Sequence, residues 1–289
     1  MATGSIGIFD SGVGGLSVLR HVHAALPTER LVYCADAAFA PYGDKPEALI
    51  VARALAIAGY LVGSGAKALV VACNTATAAA IAAIRQRHPQ LAVVGVEPGL
   101  KPAAALSTGK VVGVLATTAT LASTRFALLK AQVEAASGAR FVLQACPGLA
   151  DQIEKGELRS AATARLVERF VRPLLDQGVD TLVLGCTHYP FVTPLIAATC
   201  ASHVLTASSM HGPLPAFQII DTGEAVARQL AAVLRDSSLL CADDASAPTA
   251  GLSALTTGSA SSLAQAFLRL LTIEIPVAAI VIETLPAPA

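Results

Sequence analysis

Gly65-Ala66-Lys67-Ala68-Leu69-Val70-Val71-Ala72-Cys73-Asn74-Thr75 and Gly178-Val179-Asp180-Thr181-Leu182-Val183-Leu184-Gly185-Cys186-Thr187-His188 align without a gap. Each reads as a glycine turn, a short apolar strand, and a cysteine eight residues after the glycine. After the first copy comes Ala76-Thr77 and an Ala-rich stretch of helical character, so Cys73 falls where a strand ends and a helix begins. In open α/β sheets that junction is where ligands bind, and the free N–H groups of a helix start favour a thiolate or a carboxylate. Taken singly, either cysteine reads as a small buried hydrophobe. As a matched pair they demand another explanation.

Working outward, Gly7-Ile8-Phe9 and Gly113-Val114-Leu115 open two cycles and precede their cysteines by 66 and 73 residues. Strands are expected near 6–9, 31–34, 69–72 and 92–96, then again near 111–115, 141–145 and 181–184. Helices are expected over 16–26, 47–63 and 76–87, then to about 136, over 151–172 and over 190–200. Regular alternation predicts mostly parallel sheets covered by helices. The repeat predicts two similar α/β domains related by a pseudo-two-fold, with the site in the cleft between them. The first domain is expected to hold residues 1–96 plus 210–289, with Asp10 and Cys73; the second holds 97–209, with Glu154 and Cys186. Ile219-Ile220-Asp221 ends a strand, and Thr222-Gly223-Glu224 opens a helix to about Leu240. Residues 242–262 carry little pattern and read as a loop with a weak strand. A short helix at 263–271, a strand near 277–282 and a disordered end at 285–289 close the chain.

Composition narrows the function. The chain of 289 residues is Ala-rich and apolar, yet its longest uncharged runs are broken by Cys-Asn-Thr, by prolines, or by Ser and Thr, so no membrane span is expected. The start shows no basic segment ahead of an apolar run, so no signal peptide is expected. Six cysteines without a C-x-x-C pair fit a reducing, cytoplasmic setting and give no zinc-site pattern; no metal is expected. Lys plus Arg equals Asp plus Glu at 20 each, with no long run of one sign, which gives nucleic acid or a membrane surface no electrostatic support.

The cysteine pair suggests a reaction. Inverting a carbon with an acidic hydrogen needs a base on one face and an acid on the other, and two thiols of opposite protonation state would serve for an amino-acid α-proton. Asp10 and His188 lie near the thiols in sequence or at the same sheet end, and either could manage protons. Hydroxyls and amides at strand ends (Asp10, Ser11, Asn74, Thr75, Thr117, Thr118, Thr187) suit a small zwitterion, and equally suit helix caps. Cys34, Cys146, Cys200 and Cys241 read as packing residues. Gly12-Val13-Gly14-Gly15 approximates a dinucleotide-binding turn, with Asp36 near the position of a ribose-binding acid.

Five stretches resemble the glutamate racemases of the aspartate/glutamate racemase family: Gly7 to Gly15, Pro41-Tyr42-Gly43, Ala72 to Thr77, Gly185 to Pro190, and Ile220 to Glu224. The resemblance covers about residues 6–235 and implies a cofactor-independent racemase supplying D-glutamate for peptidoglycan. It implies that Cys73 takes the α-proton of D-glutamate and Cys186 that of L-glutamate, with Asp10, His188 and Glu154 assisting. It implies substrate contacts at Asp10, Ser11, Pro41, Tyr42, Gly43, Asn74, Thr75, Thr187 and His188, and at Thr117 or Thr118. It implies two α/β domains and a homodimer. Other readings stay open: an aspartate racemase of the same two-thiol type, a nicotinamide-dependent oxidoreductase using the turn at 12–15, and a two-domain solute-binding protein, the last disfavoured by the missing signal peptide.

Overall fold

A computed structural model describes residues 4–211, 217–241 and 251–283. The expectations for 242–250 and for the end at 285–289 lie outside the described residues. The chain divides into two units, Met1–Val96 with Gly223–Ala289, and Glu97–Thr222.

Unit 1 contains β1 (Ser5–Asp10), α1 (Leu16–Ala25), β2 (Arg30–Ala35), α2 (Glu47–Gly63), β3 (Ala66–Val71), α3 (Asn74–Arg87) and β4 (Ala92–Gly95). Unit 2 contains α4 (Leu100–Leu106), β5 (Val111–Ala116), α5 (Thr118–Ala122), α6 (Thr124–Ser137) and β6 (Arg140–Ala145). It continues through α7 (Leu149–Glu154), α8 (Ala161–Leu175), β7 (Thr181–Gly185), α9 (Thr193–His211) and β8 (Gln218–Ile220). The chain then returns to unit 1 as α10 (Gly223–Asp236), β9 (Gly251–Thr256), α11 (Ala260–Leu271) and β10 (Val277–Ala279).

The strand orders are β10-β9-β2-β1-β3-β4 in unit 1 and β6-β5-β7-β8 in unit 2, with every pairing parallel. The order β2-β1-β3-β4 is therefore repeated as β6-β5-β7-β8. Register repeats too: Gly7 pairs with Leu69, and Gly113 pairs with Leu182. A Cβ on Gly7 would meet Leu61 Cδ1 at 3.1 Å and Leu69 Cδ1 at 3.3 Å. One on Gly113 would meet Leu182 Cδ2 at 2.6 Å and Leu174 Cδ1 at 3.0 Å. Leu61 and Leu69 stand where Leu174 and Leu182 stand in the aligned copy, so both glycines make room for the same two leucines. Gly65 and Gly178, which open the two aligned stretches, both take left-handed φ values of +88° and +80°, where a side chain would be strained. The repeat is one of packing as well as of sequence.

Three expectations need correction. The return from unit 2 falls at 222/223, not near 210, because β8 hydrogen-bonds along β7 and belongs to that sheet. The helix expected to run to about 136 is two helices, broken at Ser123, whose side chain accepts the Phe126 N–H as a cap. The helix expected at 151–172 also splits, at a turn containing Gly156 at φ 80° and closed by Ser160, which caps α8. Among the described residues no helix is long and apolar enough to cross a membrane.

Candidate active site

β1, buried throughout, and β3, buried except at Lys67, carry Asp10 and Cys73 to one end of the unit 1 sheet. Cys73 is the N-cap of α3, with φ −133° and ψ 120°, and its Sγ accepts the Ala76 N–H at 3.4 Å. A thiol there is stabilised as thiolate by a backbone donor and by the positive end of a helix of 14 residues. Ser11 Oγ lies 3.9 Å from Cys73 Sγ. Asp10 is fully buried, and its Oδ2 accepts the Gly12 N–H at 3.0 Å. The Tyr33 hydroxyl donates to the Gly12 carbonyl at 2.6 Å. A Cβ on Gly15 would come within 2.6 Å of Asp10 Cβ and 2.9 Å of Tyr33 Oη. Gly15 serves the close approach of Asp10 and Tyr33.

Asp36, weighed above as a ribose ligand, is committed elsewhere. Its Oδ2 accepts from the Tyr42 hydroxyl at 2.6 Å and from Arg53 Nε at 3.0 Å. Its Oδ1 accepts from Arg53 Nη2 at 2.7 Å and from Thr257 Oγ1 at 2.8 Å. The carboxylate is fully buried with both oxygens engaged, which removes the acid that the dinucleotide reading needs. Burial, then the adjacent Asp36 charge and hydrogen bond, push the Tyr42 hydroxyl well above its ordinary pKa, and Cys73 is near enough to add to the effect. Tyr42 therefore stays a protonated donor. Tyr42 and Gly43 are buried in a single 3₁₀ turn, and half-buried Pro41 precedes it, with the Ala40–Pro41 peptide cis.

Asn74 and Thr75 are buried on the first turn of α3 beside Cys73. Among the described residues Asn74 Nδ2 is buried without a hydrogen-bond partner. A native protein seldom leaves a buried amide donor unmet, so this atom suits a ligand acceptor.

In unit 2, Cys186 ends β7 at the position aligned with Cys73, and a different group attends it. Its Sγ lies 3.6 Å from His188 Nδ1, and His188 Nε2 lies 2.5 Å from Glu154 Oε1 at the end of α7. Burial favours the neutral imidazole, but the hydrogen bonds to Cys186 and Glu154 outweigh it and raise the His188 pKa well above 6.5. Where Cys73 has a helix amide, Cys186 has an imidazolium held by a carboxylate. Thr187 is buried between them in sequence. Thr117 caps α5, its Oγ1 accepting the Thr120 N–H at 3.2 Å, and Thr118 is exposed.

The remaining cysteines differ from the pair. Burial pushes the Cys34 and Cys200 thiols from 9.0 up to about 12 and raises Cys146 further, so all three are inert packing groups at neutral pH. Cys241 corrects its expectation: it is half-buried, its N–H donates to Glu29 Oε1 at 2.8 Å, and its Sγ lies 3.4 Å from Lys67 Nζ. Arg53 and Tyr33 were not singled out from sequence. A lone cation in the middle of the apolar helix Glu47–Gly63 was the available signal for Arg53. Among the described residues no group of three or more His, Cys, Asp or Glu could hold a metal ion.

The chain is similar to known proteins over most of its length. A glutamate racemase of Pseudomonas paraeruginosa is 51% identical over 250 residues, covering 86% of this chain and 89% of that one. The crystal structure of a glutamate racemase isoform from Bacillus anthracis superposes with a TM-score of 0.82 at 30% identity, covering 97% of this chain and 98% of that one. An Escherichia coli glutamate racemase, solved with L-glutamate and the activator UDP-MurNAc-ala, gives a TM-score of 0.76 at 29% identity, covering 96% and 97%. The Asp/Glu/Hydantoin racemase family matches residues 6–230, and the chain belongs to that family.

Proposed function

We infer that the protein is a glutamate racemase, interconverting L- and D-glutamate without a cofactor and supplying D-glutamate for peptidoglycan synthesis. The observation that carries this reading is 51% identity to a glutamate racemase over 250 residues, 86% of this chain.

In the D-to-L direction Cys73, as thiolate, takes the α-proton, and the Cys186 thiol returns a proton to the opposite face. In the reverse direction the roles exchange. The Ala76 N–H and the start of α3 support the negative form of Cys73. The imidazole of His188, held by Glu154, stands within hydrogen-bond reach of Cys186 and orients its thiol. Ser11, Tyr42, Gly43, Asn74, Thr75 and Thr187 supply donors and backbone groups for the carboxylates and ammonium of glutamate. Asp10, buried next to Ser11 in the chain, serves as an acceptor for the ammonium and as an aid to Cys73. A homodimer in the cytoplasm belongs to the same reading, as the family resemblance implies; a monomer in sedimentation at working concentration would remove the first half of it.

The test is incubation with each enantiomer of glutamate in D₂O without added cofactor, following optical rotation and deuterium at Cα. Loss of rotation with deuterium in the product is expected, with aspartate a far poorer substrate. No exchange with either enantiomer would overturn the reading.

A further inference from the structure

The segment β9–α11–β10 has no counterpart in the repeated four-strand core: it extends the unit 1 sheet past β2. It joins on the side from which residues 36–44 leave β2. Ala35 pairs with Thr256, and the next residue, Thr257, donates its N–H to the Ala35 carbonyl at 3.0 Å. The Thr257 hydroxyl then makes two bonds at once, donating to Asp36 Oδ1 at 2.8 Å and accepting the Ala38 N–H at 3.1 Å. Gly258 lies against the same loop, where a Cβ would fall 2.9 Å from Ala37 Cβ. Further on, the Ile282 carbonyl accepts from Arg53 Nη1 at 2.7 Å. That guanidinium also grips Asp36 and sits 4.0 Å above the Phe39 ring.

These contacts form one chain of bonds from the C-terminal arm to the Tyr42 hydroxyl, by way of Asp36. We propose that the arm β9–α11–β10 positions the substrate loop 36–44, with Thr257 and Gly258 as the positioning residues. The proposal rests on the reading of Tyr42 and Gly43 as substrate contacts. An arm that only added stability would need no hydroxyl at Thr257 bridging two atoms of the loop, nor a glycine where the loop crosses.

Thr257→Val keeps the shape and removes both bonds. Thr257→Ser keeps both bonds. Gly258→Ala pushes on Ala37, whose Cβ is fixed to the backbone and cannot swing aside. The measurements are kcat and KM for both enantiomers, amide hydrogen exchange by fragment in the protein without substrate, and the melting temperature. Thr257→Val and Gly258→Ala are expected to raise KM about five- to tenfold, the equivalent of one to two hydrogen bonds, and to leave kcat within about threefold. Exchange should quicken at 36–44 but not in the sheet core, and Thr257→Ser should return both readouts toward wild type. Unchanged exchange at 36–44 in Thr257→Val, or faster exchange spread over the whole unit with a lowered melting temperature, would overturn the proposal. If wild-type protein does not racemise glutamate, the functional reading fails, while the exchange experiment still decides the positioning role.

Discussion

Glu154 Oε1 lies 2.5 Å from His188 Nε2, on the far side of the imidazole from Cys186. Through the ring the carboxylate acts on Cys186 indirectly.

Glu154→Gln removes the charge and keeps the shape. The His188 pKa should fall, which NMR titration of the ring measures directly, and kcat should drop by about 10- to 100-fold, less than loss of a proton-transfer group itself. The sign of the pH effect follows from the raised His188 pKa. A group raised above its unfolded value of about 6.5 contributes its full stability below that pH and loses it as pH rises through the folded value. The stability gap between wild type and Glu154→Gln should thus be widest between about pH 5 and 6.5 and shrink toward alkaline pH. A gap that widens with pH would contradict the assignment.

Arg53 and Asp36 are an ion pair at 2.7 Å with side chains 1% and 0% exposed. Arg53→Met leaves the carboxylate buried without its cation and should cost about 3–5 kcal/mol in urea unfolding. Adding Asp36→Asn to that variant should recover part of the loss, since a neutral amide is cheaper to bury than a lone charge.

Gly113→Ala forces a Cβ to within 2.6 Å of Leu182 Cδ2 and 3.0 Å of Leu174 and Val179, all buried. It should destabilise by about 1–3 kcal/mol, the usual cost of overpacking. Gly7→Ala, whose nearest contacts start at 3.1 Å, should cost less in the same assay. Equal costs would mean that the two sites pack more alike than these distances indicate.

Gly15→Ala puts a Cβ 2.6 Å from Asp10 Cβ and 2.9 Å from Tyr33 Oη. Asp10 cannot retreat without losing the Gly12 N–H, so kcat/KM should fall by about tenfold or more, with Asp10 displaced from the site.

The features legible in the sequence were local ones. The cysteines, their glycines and the apolar strands between them sit in contiguous stretches, so alignment of two short segments was enough to find them. Gly7 and Gly113 lie outside that gapless alignment, and their matching register comes from the sheets. Long-range polar contacts left little trace. Arg53 meets Asp36 across 17 residues and Ile282 across 229, and only its isolation in an apolar helix hinted at a buried partner. The breaks at Ser123 and at Gly156–Ser160 were hidden because capping serines are also tolerated inside helices. The strand β9 carries a weak strand signal because Ser, Ala and Thr line much of it; its place beside β2 comes from the sheet and not from its own propensity.

The most direct test of the central claim is racemisation by Cys73→Ala and Cys186→Ala, each assayed from both glutamate enantiomers. Both variants should fall below about one hundredth of wild-type turnover, as expected when one of two required proton-transfer groups is lost. Near-wild-type turnover by either folded variant would contradict the two-thiol account.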